Sequence, residues 1–362
     1  MKYKQDWETA KNRLERFWEG SLDGCCLSVV APRDKPAYNK IKYITPKNTT
    51  DRWKNKELRL NNFLYEFSAT FYGGEAFPNL WVDAGPGSAA AFIGSAPHFS
   101  DDCIWFEHNK ENYDLKSLLP FKIDKNCEWW HFLWELTEYF CENANGDYFV
   151  SVNDLGGTLD ILASLRGTQQ VLFDIMDQPQ AVKTAVNQIN DIWLEVFEKN
   201  YTLINKYMDG CSDWMNVWCH KPAYSVQCDI ATMMSPDQYE EFVKPSIEKQ
   251  VNSMDYSMYH LHMHDNPCLS AQLDMMLKIK NLSGIAFIPE PLGSHHDEEK
   301  WFPYYERIQK SGKKLIMFSV NPQSVLKLMK RLSPHGLHIQ TYCACETDAN
   351  DLLHAAKKYT KN

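Results

Sequence analysis

Short apolar runs alternate with amphipathic stretches along most of the chain, the pattern of parallel α/β architecture. Eight runs read as strands: 25–31, 79–83, 148–153, 213–217, 257–262, 284–288, 314–318 and 337–342. The segments between them carry helix signals. Ser235 and Pro236 read as N-cap and first helical residue, and Tyr239, Phe242, Val243, Ile247 and Val251 then form one apolar stripe. Pro245 lies inside that stripe and predicts a kink. Pro179 opens a long helix with Val182, Val186, Ile189, Trp193, Val196 and Phe197 on one face, and Gly210 reads as its stop. Asn321 and Pro322 start another, with Val325, Leu328, Met329 and Leu332 inward. Thr347 is expected to cap the last, which carries Leu352, Leu353 and Ala356.

Eight strands with intervening helices predict a (β/α)8 TIM barrel: a single domain, 1–362, with a helical extension at 1–24. The glycine-rich stretches at 73–74 and 84–94 are read as long loops over the C-terminal mouth. In such barrels the chemistry lies at the C-terminal ends of the strands.

Composition narrows the function classes. A net charge of −9 with no long basic run argues against a nucleic-acid binder, which needs clustered Lys and Arg. The opening residues have no apolar core of a secretion signal, and no stretch reaches the roughly 20 apolar residues of a membrane span. The chain therefore reads as cytoplasmic, and its 11 cysteines as free thiols.

The fifth predicted strand ends in Met258-Tyr-His-Leu-His-Met-His-Asp265. His260 and His262 are two apart, so a strand projects both to one side, and His264 would follow if the strand continued. Neutral imidazole is the commonest metal ligand. The eighth strand ends in Thr341-Tyr-Cys-Ala-Cys-Glu346. In a barrel, Cys343 would open onto the same mouth, with Cys345 as a further candidate. Two nitrogens and a thiolate with one position open would suit a catalytic zinc. Turning Cys343 inward would turn Ile339 and Thr341 inward as well, and send His338 and Gln340 to the helix layer. Asp229 is an acid in an otherwise apolar stretch and is expected to position or deprotonate substrate. Asn153, Asp154 and Tyr224 are candidate substrate contacts beside strand ends. The run His295-His296-Asp297-Glu298-Glu299 reads as a helix N-terminus with favourable acids.

Several segments resemble the uroporphyrinogen decarboxylase superfamily, in particular its decarboxylase-like branch beside the cobalamin-dependent methyltransferases. They are Arg13-Leu-Glu-Arg-Phe-Trp-Glu-Gly20, Gly85-Pro-Gly with Phe92-Ile-Gly94, and Gly156-Gly-Thr-Leu-Asp-Ile-Leu-Ala-Ser-Leu-Arg-Gly167. Cys228-Asp-Ile-Ala with Ser235-Pro-Asp-Gln-Tyr and Pro245 follows, then Tyr259-His260, Leu273-Asp274 and the segment 341–346. The resemblance implies a (β/α)8 barrel. Its methyltransferase members hold zinc with a His-x-Cys and a later Cys. Here His260-Leu261-His262 stands in the first place and Cys343 in the second, so one thiolate is replaced by imidazole. The Arg-Gln-Ala-Gly-Arg signature of the true decarboxylases is missing, which argues against porphyrinogen decarboxylation.

The resulting expectation is an enzyme: a zinc-dependent methyltransferase acting on a thiol or similar small acceptor. Methylcobalamin would be carried on a separate corrinoid protein, since the chain has no Asp-x-His-x-x-Gly motif. A metal-dependent hydrolase and a non-catalytic small-molecule-binding barrel are the alternatives.

Overall fold

The computed structural model describes the chain apart from Asn39, His108, Glu111, Leu292 and Asn362. Its strands are β1 (Cys26–Pro32), β2 (Thr70–Gly74), β3 (Asn79–Trp81), β4 (Ala96–Phe99), β5 (Ile104–Glu107), β6 (Phe149–Ser151), β7 (Ala223–Gln227), β8 (Tyr256–Met263), β9 (Gly284–Pro289), β10 (Lys314–Val320) and β11 (Leu337–Tyr342). Seven of them make the central sheet, in the order β2-β1-β11-β10-β9-β8-β7. Every pairing in it is parallel except β1 with β2. β3 and β6 form a separate parallel pair, and β4 and β5 an antiparallel one. The fold is mixed α/β, and among the described residues no ladder joins β6 to β7 or β2 to β3.

Burial explains the strand sequences. A parallel sheet is covered on both faces by its crossover helices, so its strands are apolar along most of their length. β7 and the first five residues of β11 are buried throughout. Buried helix faces such as Val182, Ile189, Trp193 and Val196 of Pro179–Ile204 supply the rest of the core. Among the described residues no helix is long and apolar enough to cross a membrane.

Four local expectations are corrected. Residues 213–217 form no strand; β7 follows instead. The Asp213 carboxylate accepts the N–H groups of Met215 (2.9 Å) and Ser225 (2.6 Å), and Asn216 sits in the left-handed region at φ 55°. Side-chain amides bond its backbone: Gln340 donates to the Met215 carbonyl and Asn79 to that of Asp213. The helix from Pro179 ends at Ile204 with Asn205 as its C-cap, while Gly210 serves a later turn at φ 94°. The last helix, Glu346–Ala356, is capped by Cys345, whose thiol accepts from the Asp348 N–H, and not by Thr347. The kink at Pro245 takes the form of a wide π turn over Tyr239–Val243, so the proline falls in the first turn of the next helix, Lys244–Val251. The capping box at Ser235 is present, with Gln238 reciprocating.

Candidate functional site

β8 carries the centre of the site. Its pleat puts His260 and His262 on one face, and their Nε2 atoms lie 2.9 Å apart. The Nδ1 of His262 bonds Glu290 Oε1 at 2.8 Å. Glu290 directly follows β9, the neighbouring strand, in which Ile288 pairs with His262. The Trp214 ring meets His260 edge-on at 4.7 Å. Asp229, in the short 3₁₀ turn Asp229–Met233 after β7, brings Oδ1 to 3.9 Å from His262 Nε2. One ligand atom from each of Asp229, His260 and His262 falls within 4.8 Å of the others.

The turn that presents Asp229 is held from below. Asp160, in the helix Thr158–Arg166, accepts the N–H groups of Asp229 (2.9 Å) and Ile230 (3.0 Å). Gly157 is needed there: a Cβ would press on the Gln227 carbonyl and on the Asp160 carboxylate.

Electrostatics favour neutral imidazole beside guarded carboxyls. Burial, with the His262 charge adding to it, holds His260 down to about 3. It is therefore a lone-pair donor at neutral pH. Burial pushes the Asp229 carboxyl up, against the pull of His262. The Asp160 carboxyl is also raised, by burial first and by the Asp229 charge second, against the backbone N–H groups of Ile230, Asp229 and Gly157.

These residues fit a divalent metal. Two imidazole nitrogens and one carboxylate are a donor set used by catalytic zinc and by non-haem iron(II). The Glu290 carboxylate on the far nitrogen of His262 is the outer partner that orients a ligating imidazole. The buried Nδ1 of His260 has no partner, so that ring is fixed by packing against Trp214 instead.

Cys343 lies elsewhere. Gln340 reaches inward to Met215 and His338 to Ser28, so the sides of β11 are the reverse of the expectation. Cys343 shares an outer groove with Pro322, Asp348 and Leu352, and among the described residues its thiol joins no cluster of metal-type donors. His264 and Cys345 are outside the cluster too. His296 is buried in the structure, bonded to the Tyr305 hydroxyl and the Phe318 carbonyl.

The three expected substrate contacts are mostly spoken for internally. The fully buried Asn153 amide bonds Ser88 and Asn200. The Tyr224 hydroxyl accepts from Leu155 N–H and donates to the Asn153 carbonyl. Asp154 accepts from Gly156 N–H and Gln227 Nε2.

A cleft of about 830 Å³ opens against Asp229. Asp160 and Asp229 line it, and so does Arg166, whose charge is already met by Asp174 through two bonds. Phe106, Phe173 and Met233 give it apolar walls. Among the described residues the lining thus offers no cation free of an internal partner.

Sequence reasoning missed Glu290, Asp160 and Trp214. Glu290 was within reach, since the strand-end rule applied to 284–288 points to the residues just beyond. Trp214 was hidden by the strand expected at 213–217.

No family model and no curated protein sequence matches the chain. Among solved structures it is similar to a methyltransferase from Methanosarcina mazei, with 14% identity and a TM-score of 0.57, over 96% of this chain and 97% of that one. At that identity the likeness is one of fold.

Proposed function

We propose that the chain is a metal-dependent methyltransferase of the uroporphyrinogen-decarboxylase-like kind, with Asp229, His260 and His262 as its metal ligands. Its strands β1, β3, β6 and β7–β11 are then the eight staves of a (β/α)8 barrel. Their parallel order along the chain supports this. So does the contact of Val152 N–H with the Ser212 carbonyl (2.9 Å), which bridges the region between β6 and β7. The observation that carries the function is the close approach of two imidazoles and a carboxylate at the strand ends, on the edge of the 830 Å³ cleft.

A bound zinc would supply Lewis acidity that stabilises a thiol acceptor as its anion. The chain's own residues do the rest. Asp229, with a side chain 59% exposed, presents the third ligand oxygen at the edge of the cleft. Asp160 keeps its turn in place, Glu290 fixes the His262 ring, and Trp214 covers His260 from water. A separate corrinoid protein would supply the methyl group as methylcobalamin, the Co–CH₃ bond giving way to S–CH₃ with its electron pair left on the corrinoid.

A second reading has one observation in its favour. A nitrogen–oxygen donor set without thiolate is that of zinc hydrolases, where the ion would activate water.

The test is metal content together with turnover. One zinc per chain is expected in the wild type and in Cys343→Ala, and none in His260→Ala or His262→Ala. Zinc-loaded protein should consume methylcobalamin on addition of a small thiol, and Asp229→Asn should lower zinc occupancy and turnover together. Ester hydrolysis without methyl transfer would replace this reading with the second. Zinc retained in both histidine variants would remove the site.

A further inference from the structure

A second cavity, of about 220 Å³, lies away from this cleft and shares no lining residue with it. It is bounded by β1, β2, the first residue of β3, the end of β11 and the helix Lys56–Ala69. Its volume is that of about seven waters at ~30 Å³ each.

The chemistry of the lining is selective. Five rings contribute to the walls: Phe63, Phe67, Tyr72, Phe77 and Tyr342. Among the described residues the one charged side chain lining it is Glu66. Arg52 is the cation whose charge reaches Glu66, and it lines an adjoining surface groove, not this cavity. Aromatic faces with a carboxylate and no cation are what a positive ligand needs.

Two amides of the lining are tied to the segment between β6 and β7. Asn79 gives its amide N–H groups to the Asp213 carbonyl (3.1 Å) and to Asn216 Oδ1 (2.7 Å), and Gln340 gives one Nε2 hydrogen to the Met215 carbonyl at 2.9 Å.

We propose that this cavity binds a small organic cation of choline's size. The cation lies against the rings and the Glu66 carboxylate. The site is independent of the methyl-transfer reading.

Isothermal titration calorimetry of the full chain tests it, with choline and ethanolamine as probes. The control is dimethylbutanol, the neutral isostere of choline with carbon in place of the ammonium nitrogen. Choline is expected to bind one per chain, about tenfold or more tighter than dimethylbutanol. Glu66→Gln and Phe63→Leu should each weaken it about tenfold without moving the melting temperature, and Asp229→Asn should leave it unchanged. If Phe63→Leu fails to fold, the Glu66 variant and the isostere still decide. Three results overturn the proposal: no binding of either amine; equal binding of dimethylbutanol; or full affinity in Glu66→Gln. Loss of binding in Asp229→Asn overturns it as well, by assigning the ligand to the cleft.

Discussion

Asp154→Asn should reverse part of the pH dependence of stability. Asp154 is buried, and its carboxyl is pushed up to about 7 by that burial, with the Asp229 and Asp213 charges adding to it. The folded state therefore holds this proton more tightly than the unfolded chain, where the value is near 3.8. A raised carboxyl stabilises fully below the unfolded value, and that stability is lost as pH rises through the folded one. Going from 3.8 to about 7 at 1.36 kcal/mol per pH unit amounts to about 4 kcal/mol, more than half of it lost between pH 5 and pH 8. Asparagine cannot ionise, and its oxygen still accepts from Gly156 N–H and Gln227 Nε2. Its NH₂ replaces the carboxylate's hydrogen bond with Gly87 N–H, a pH-independent loss of about 1 kcal/mol. Urea unfolding followed by near-ultraviolet circular dichroism at pH 5, 6, 7 and 8 measures both proteins. The variant should gain about 3 kcal/mol on the wild type across that range. Parallel curves would refute the reasoning, because they would mean that Asp154 has the same proton affinity folded and unfolded.

Three further outcomes are expected. Gly157→Ala has no backbone penalty at φ −78°. Its methyl group nevertheless displaces Asp160 or β7, so stability should fall about 1–3 kcal/mol and methyl transfer should fall with it; an unchanged melting temperature and rate would contradict this. Glu290→Gln should weaken zinc binding about 10–100-fold in competition with a chromogenic chelator, while equal affinity would show that His262 needs no orienting partner. Asp174→Asn strands the Arg166 guanidinium, both side chains being 1% exposed, and should cost about 3–5 kcal/mol in the urea midpoint.

Seven of the eight strands were readable because apolar runs bounded by turn residues survive in the parallel sheet: β11 matches its expected span, and β8 and β9 do within a residue or so. The exception, 213–217, is as apolar as a strand, but side-chain amides from β3 and β11 serve its backbone. Such bonds come from residues 125 positions or more away and leave no local trace. The site was legible to the same depth. The alternation of His260 and His262 is a property of one strand and needs no tertiary knowledge. The third donor depends on which way β11 faces and on how the turn after β7 is held. Asp229 had been assigned a proton-transfer role, and its place beside His262 follows from Asp160, some 70 residues earlier. β2, β4 and β5 went unread because their short pairings lie among loops.

The pairing of β1 with β11 sets a timetable for synthesis. Ser28 and His338, which meet at 2.9 Å, are 310 residues apart. At about 5–20 residues per second, β1 leaves the ribosome about 15–60 s before its parallel partner exists. In that interval β2, in antiparallel register with Ser28 opposite Gly74, can occupy one edge of β1. The other edge stays open, and an open strand edge invites pairing with another chain. A nascent chain halted before residue 337 is thus not a smaller version of this fold. It keeps that edge of β1 unpaired until the last strand arrives.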